Sequence, residues 1–400
     1  MEERRAESAA ARRLRSKPPR ETPQHRMRIL VLTKRQYMAK DLLDDRFGRF
    51  RELPLELAKL GHEVRGVCLS YRPRGEGLVE DTALDGTGKV AWQSLNLCHF
   101  VIPGVFNHLK QVKKLLKEFQ PDIIWACSDS FHVIFGVWLS HLYKTKCVVD
   151  LYDNFEAFGA TRLTGILSLF KRAVQRAEGL TCFSRRLADR VQQHYHPKSE
   201  TVVIENGVRT DLFYPRDRSE CRRRLGLPED AKIIGTAGAL YRNRGIETLF
   251  RGFELLAAKD DTLNLAIAGP REKRIRIPAG PRIHDFGILP WDQVPLFINT
   301  LDVAVSCYRD SELGRYSFPQ KAYEILACET PIVSAAVGTM IELLSLYPEC
   351  LFEPDRPESL AEAVHTQLAR PTRVAHRIPA WSDSAKQLEK FLLEVAAGHS

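Results

Sequence analysis

The nine cysteines of this 400-residue chain form no C-x-x-C pair, which excludes the common zinc-ribbon and dithiol redox sites. Neither G-x-G-x-x-G nor G-x-x-x-x-G-K-[ST] occurs, so a dinucleotide fingerprint and a P-loop are both missing. Long apolar runs are scarce too. The best, 123–143, is broken by Asp129 and two histidines and reads as a buried strand followed by a buried helix rather than a membrane span. The N-terminus lacks the apolar core of a secretory signal. No basic patch is interleaved with aromatics at stacking or groove-reading spacing, so nucleic acid is not an expected partner.

What is present is the balance of a globular protein, with 44% hydrophobic and 27% charged residues. The length fits two α/β domains of ordinary size. The formal charge of +9 is uneven: residues 1–26 carry +4, leaving +5 for the remaining 374. That extension is basic and poor in large apolar residues, and is expected to be disordered; Met27 is a candidate start. Cysteines such as Cys127, Cys147, Cys182 and Cys307 sit inside apolar runs. Used as small hydrophobes, they point to a reducing, cytoplasmic setting.

From residue 28 strands and helices alternate. "RILVLT" (28–33) is a buried parallel-strand run. Phe50, Leu53, Leu57 and Leu60 then repeat at helical spacing, with Pro54 marking a kink or a late helix start. "HEVRGVCL" is the next strand, and others are expected at 99–102, 122–127, 146–150, 180–183 and 201–204. In 105–119, Val105, Leu109, Val112, Leu116 and Phe119 share one helix face, with Lys110, Lys113, Lys114 and Lys117 opposite. The lysine face is either a solvated surface or one that rests on anionic lipid head groups. The second half repeats the alternation, with strands at 232–238, 263–269, 282–287, 302–308 and 331–336. This predicts an α/β protein of two Rossmann-like domains with parallel sheets facing across a cleft, where ligands sit at the carboxyl ends of the strands. The expected bounds are 27–205, 206–380 and a final segment, 381–400, returning to the N-terminal domain.

Two segments carry chemistry. In "SELGRYSFPQKAYEILACETPIVS" (311–334), Pro319 suits the first position of a helix. The loop before it offers N–H groups and a positive dipole end to an anion. Glu324, between one and two turns inside, suits the vicinal hydroxyls of a ribose. In "IIGTAGALYRNRGIETL", Gly238 ends a strand and brings Arg242 and Arg244 to the sheet's carboxyl edge, where arginine can clamp a diphosphate.

"VVIENGVRTDLFYP", "GTAGALYRNRGIETL", "LAIAGP", "DVAVSCY" and "FPQKAYEILACETPIVS" stand in the order and spacing of glycosyltransferase family 4, which the chain resembles. The resemblance implies a GT-B fold and transfer of a sugar from a nucleotide diphosphate donor with retention of configuration. It also implies no metal and no cofactor beyond the UDP- or GDP-linked co-substrate. Carried over residue by residue, Glu324 is the second glutamate of the family's pair, while Tyr316 stands where the first would be. The stretch Pro319-Gln320-Lys321-Ala322-Tyr323-Glu324 fits a P-x-K-x-x-E version. The family's diphosphate lysine matches Arg244, but its arginine matches Ala239, leaving Arg242 or Arg315 to restore the second charge.

The donor set implied is therefore Glu324, Lys321, Arg242, Gly238, Tyr316, Ser317, Phe318 and, from the N-terminal domain, Gly48, with Arg49 as a further candidate. Arg244, Asp150 and Asp153 are the catalytic candidates, the two aspartates as residues that meet the transferring sugar or simply cap the strand end. Trp381, Leu388 and Leu392 are expected packing residues of the returning helix. The expected partners are the donor and a glycan or lipid-linked acceptor in cell-surface polysaccharide assembly, at the inner face of an anionic membrane. Ala239 and Tyr316 leave room for a non-catalytic partner subunit, and the fold also serves sugar-nucleotide epimerases and hydrolases.

Overall fold

The computed structural model describes residues 26–37, 40–97, 101–157, 159–318 and 320–398. The extension before Arg26 and the expected helix opener Pro319 therefore lie outside the described residues.

The first half builds one eight-stranded sheet. Its elements are β1 (Arg28–Lys34), β2 (Gln36–Tyr37), β3 (Lys40–Asp41), α1 (Arg49–Lys59), β4 (Glu63–Ser70), β5 (Gly77–Thr82), β6 (Lys89–Asn96), α2 (Val101–Phe119), β7 (Ile123–Ala126), α3 (Ser130–Tyr143), β8 (Lys146–Leu151), α4 (Ile166–Arg176), β9 (Gly179–Cys182), α5 (Arg185–Tyr195) and β10 (Thr201–Val203). The order is β10-β9-β8-β7-β1-β4-β6-β5, with β2–β3 a separate small hairpin. All neighbours are parallel except β5, which runs antiparallel against β6. The central strands are apolar on both faces because helices cover both, as parallel sheets require.

Two sequence expectations change. The strand expected at 99–102 falls partly on 98–100, outside the described residues, and Val101 and Ile102 already open α2. The strand there is β6, whose alternating polar residues disguise it. Pro54 does not delay α1, which starts at Arg49 and carries the proline as its sixth residue. At that depth the proline removes one helical hydrogen bond, the one a backbone N–H there would give to the Phe50 carbonyl.

The second half builds a six-stranded sheet ordered β13-β12-β11-β14-β15-β16. Its elements are α6 (Arg218–Leu225), β11 (Lys232–Ala237), α7 (Ile246–Ala257), β12 (Leu263–Ala268), β13 (Ile283–Asp285), α8 (Val294–Ile298), β14 (Val303–Ser306), α9 (Glu312–Tyr316), α10 (Gln320–Ala327), β15 (Ile332–Ala335), α11 (Thr339–Leu343), β16 (Leu351–Phe352) and α12 (Pro357–Ala369). The last helix, α13 (Trp381–Ala396), leaves this domain and packs on α1 and β8 of the first. Its Trp381, Leu388 and Leu392 enter the same core as Phe50, Leu53 and Trp125.

The two chain crossings between domains touch each other. Val208 pairs with Ala380, and a Cβ on Gly207 would lie 2.3 Å from the Trp381 nitrogen. Only glycine permits that approach. The carboxyl edges of both sheets face the space above this crossing.

Candidate active site

One cavity of about 250 Å³ lies between the domains, walled from both sides. From the second domain come Gly238, Arg244, Tyr308, Ser317, Phe318, Lys321 and Glu324. They converge because β11, β14 and the loop before α10 all end at one sheet edge. Gly238 sits at φ +115°, and a Cβ there would fall 2.9 Å from Lys321 Cδ and 3.1 Å from Nζ. The absent side chain is thus what seats the lysine beside the strand end. Arg244 lies with its guanidinium 5.7 Å from the centre of the Tyr308 ring, a cation–π geometry.

Among the described residues no carboxylate lies within ion-pair distance of Arg244 or Lys321, in a protein with many such pairs. Burial, and then the charge of Arg244, lower the Lys321 ammonium to about 8. Burial raises Glu324 to about 7, opposed by Gln320 and Lys321. Two unneutralised cations in a closed wall favour an anion between them.

From the first domain come Phe47, Gly48, Arg49, Glu52, Tyr152 and Asp153. Gly48, at φ +97°, caps α1. Asp153 follows β8; burial raises its carboxyl to about 6, against the 2.8 Å hydrogen bond from the Asn154 amide and the charges of Arg244 and Lys34.

Several expected residues are placed elsewhere. Asp150 does not meet the cavity. It is fully buried, bound by both oxygens to Arg49 at 2.8–3.1 Å, and accepts from the Thr181 hydroxyl at 2.8 Å. The same Arg49 donates to the Ile204 carbonyl and to Asn206 Oδ1 at 2.8 and 2.9 Å. The pair therefore ties α1 to the interdomain crossing. The reason is strand alternation: neighbouring side chains point to opposite faces, and Asp150 points under α1.

Arg242 is exposed and lies near Glu247 at 3.5 Å; Arg315 is exposed and held by Asp310. Neither replaces the charge missing at Ala239, because each leans into solvent towards its own carboxylate. Lys321 does line the cavity, beside Gly238. Tyr316 does not line the cavity: its ring lies under Arg190 of α5, 5.0 Å away. Ser317 does line it, with its hydroxyl donated to the Leu313 carbonyl. Phe318 packs edge-on between Phe183 of the first domain and Tyr323, at 5.5 and 4.9 Å.

Sequence reasoning missed Trp291, Phe47, Glu52 and Arg209, which also line the cavity. Trp291 meets Phe47 of the first domain at 5.8 Å, Phe213 at 5.7 Å and the Arg209 guanidinium at 5.6 Å. They come from three separate stretches, and nothing local marks any of them. Half-buried Lys34, at the carboxyl end of β1, does not line the cavity, though its charge acts on Asp153.

The profile described as "Glycosyltransferase Family 4" matches residues 49–212, and "Glycosyl transferases group 1" matches 231–370. The chain belongs to the family 4 type of glycosyltransferase. An uncharacterised glycosyltransferase of Methanocaldococcus jannaschii is 24% identical over 338 residues, 78% of this chain and 82% of the relative. A putative teichuronic acid biosynthesis glycosyltransferase of Bacillus subtilis is 27% identical over 52% of each chain. A D-inositol 3-phosphate glycosyltransferase of Geodermatophilus obscurus is 30% identical over 50% of this chain and 47% of the relative. This chain thus spans about half the length of the last two.

Solved structures share the fold at lower identity. Sucrose-phosphate synthase from Thermosynechococcus elongatus superposes with a TM-score of 0.69 at 19% identity, covering 93% of this chain and 97% of the other. Anabaena HepE, solved with UDP, gives 0.64 at 17%, covering 93% and 98%. The two Rossmann-like domains are those of a GT-B glycosyltransferase. Among the described residues no helix is long and apolar enough to cross a membrane.

Proposed function

We propose that this chain transfers a hexosyl group from a nucleoside diphosphate sugar, UDP- or GDP-linked, with retention of configuration. The observation that carries the reading is the pair Arg244 and Lys321, cations without a carboxylate at ion-pair distance, in one cavity with Glu324. The diphosphate spans the two cations. Glu324, as its carboxylate, accepts from the ribose hydroxyls. As the glycosidic bond breaks, negative charge grows on the leaving diphosphate, and Arg244 and Lys321 stabilise it without a divalent cation. Gly48 and Ser317 let backbone approach the phosphates; Phe318 and Gly238 shape the wall.

Asp153 takes the place near the transferring sugar, on the first domain's side. A donor-phosphate oxygen receives the acceptor proton on the same face, so no separate base is required. The HepE complex with UDP on the same fold supports a UDP-type donor. The teichuronic acid relative supports an acceptor in cell-surface polysaccharide assembly, a glycan or lipid-linked glycan met at the cytoplasmic face of the membrane.

The rival reading, a non-catalytic subunit, rests on Ala239 and Tyr316. Lys321 answers the first. Nucleotide-dependent thermal stabilisation across UDP, GDP, ADP and CMP is the test. A diphosphate that stabilises wild type but not Arg244→Ala supports the reading; no stabilisation by any nucleotide abandons it for the subunit.

A further inference from the structure

The helical face of the first domain away from α1 is apolar where water should be. Along α3, Phe131, Phe135, Trp138 and Leu142 recur at i, i+4, i+7 and i+11, which is one face of a helix. Trp138 is 45% exposed and Leu142 53%. The Phe135 and Trp138 rings stack at 6.0 Å. On the neighbouring α2, Val105 and Phe106 are exposed, Phe106 by 67%. Beside α4, Leu163 and Leu169 are exposed as well. The three helices are neighbours: His108 of α2 meets Phe135 at 5.1 Å, and α4 packs on α3.

The charge around this patch is predominantly positive, with Glu118 beside Lys114 and Glu156 beside Lys171 as the acids at its edges. Segments 97–117, 130–149 and 157–177 contain no aspartate or glutamate, yet carry ten Lys or Arg residues. Lys110, Lys114 and Lys117 are exposed on α2, and Lys144, Arg162, Arg172 and Arg176 around α3 and α4. Lys113 holds its ammonium 5.6 Å from the centre of the Trp138 ring, beside the apolar stripe. Aromatic rings flanked by long cations are the side chains that suit the head-group region of a bilayer. A protein partner able to match so large an excess of cations would itself have to be strongly anionic across its whole face. A lipid surface supplies that charge evenly.

We infer that the outer face of α2, α3 and α4 is a docking surface for an anionic lipid bilayer, seating the aromatic stripe among the head groups. Both α2 and α3 follow the carboxyl ends of parallel strands, so Phe106 and Phe131, near their N-terminal ends, lie at the cleft side of the patch. The surface thereby delivers a lipid-linked acceptor to the cavity edge. This deepens the transferase reading and rests on it for the acceptor, though not for the docking.

The test is sedimentation of the full chain with phosphatidylglycerol vesicles and with neutral phosphatidylcholine vesicles. Wild type pellets with the anionic vesicles, and less as salt rises. Lys110→Glu/Lys117→Glu weakens the partition about 25-fold or more, from about fivefold per lost surface cation. Phe106→Ala/Trp138→Ala weakens it at least tenfold while UDP still stabilises the protein. The proposal is overturned if wild type ignores anionic vesicles, binds neutral ones equally, or if both variants bind undiminished. It is overturned too if light scattering shows a dimer that Phe106→Ala/Trp138→Ala dissociates, making the patch a contact between copies. UDP stabilisation reports the donor reading separately, so either can fail alone.

Discussion

Replacing Lys321 by methionine removes one positive charge from the cavity and keeps nearly all of the side chain's volume. Lys321 and Arg244 are the cavity's cations without an ion-pair partner among the described residues, and the ammonium sits against Gly238, where a Cβ would be 3.1 Å from it. A charge-assisted hydrogen bond to phosphate is worth about 1.5–3 kcal/mol. At 1.4 kcal/mol per decade, that is about 10- to 150-fold in affinity. Titration calorimetry with UDP should show a Kd raised by that factor, with uridine binding hardly changed, because uridine carries no phosphate. The pH dependence gives the sign independently. An ammonium near 8 in the empty site is charged below that value, so UDP affinity of wild type falls as pH rises above about 8. The methionine variant loses that fall. A UDP Kd within twofold of wild type, or a loss equal for uridine and UDP, refutes the diphosphate role.

Other outcomes follow from the same placements. Glu324, raised to about 7 by burial, binds its proton more tightly folded than unfolded, so its contribution to stability falls as pH rises from about 4.5 to 7. Glu324→Gln should therefore gain thermal stability relative to wild type at pH 8, by up to about 3 kcal/mol, while the donor KM rises sharply; a Gln variant less stable than wild type at pH 8 contradicts this. Asp150→Asn leaves Arg49 buried without its charge partner and should cost about 3–5 kcal/mol, read as a lower denaturant midpoint; an unchanged midpoint means the pair is not structural. Arg242→Ala should leave the UDP Kd within twofold, whereas Arg244→Ala raises it at least tenfold; equal effects would put the exposed arginine back in the site. Tyr316→Phe keeps the ring under Arg190 and should keep activity, and a large loss would mean the hydroxyl serves the substrate.

The alternation of strands and helices was readable because each parallel strand is a short, unbroken apolar run with a turn after it. Where that signal failed, the strand was unusual: β6 alternates polar and apolar residues, and β5 beside it runs antiparallel at the sheet edge. The helix face of 105–119 was also read a turn too long. Val112, Leu116 and Phe119 are buried, but Val105 is exposed on the patch described above.

Glu324, Lys321, Arg244 and Gly238 could be named from local motifs, because each lies at a strand end or a helix start within one short segment. The sequence by itself determined the fold class and these donor-side candidates, since periodicity and turn chemistry act over a dozen residues. Only the tertiary structure decided which of several equivalent-looking charges face the cavity. Asp150 and Asp153 are three residues apart, yet one lies under α1 with Arg49 and the other at the cleft. Arg242 and Arg244 are two apart, yet one leans to Glu247 and the other onto Tyr308. A side chain's direction depends on strand alternation, burial and the nearest countercharge or ring, and these are set by the packing around it, in part by residues as far off as Arg49 is from Asp150.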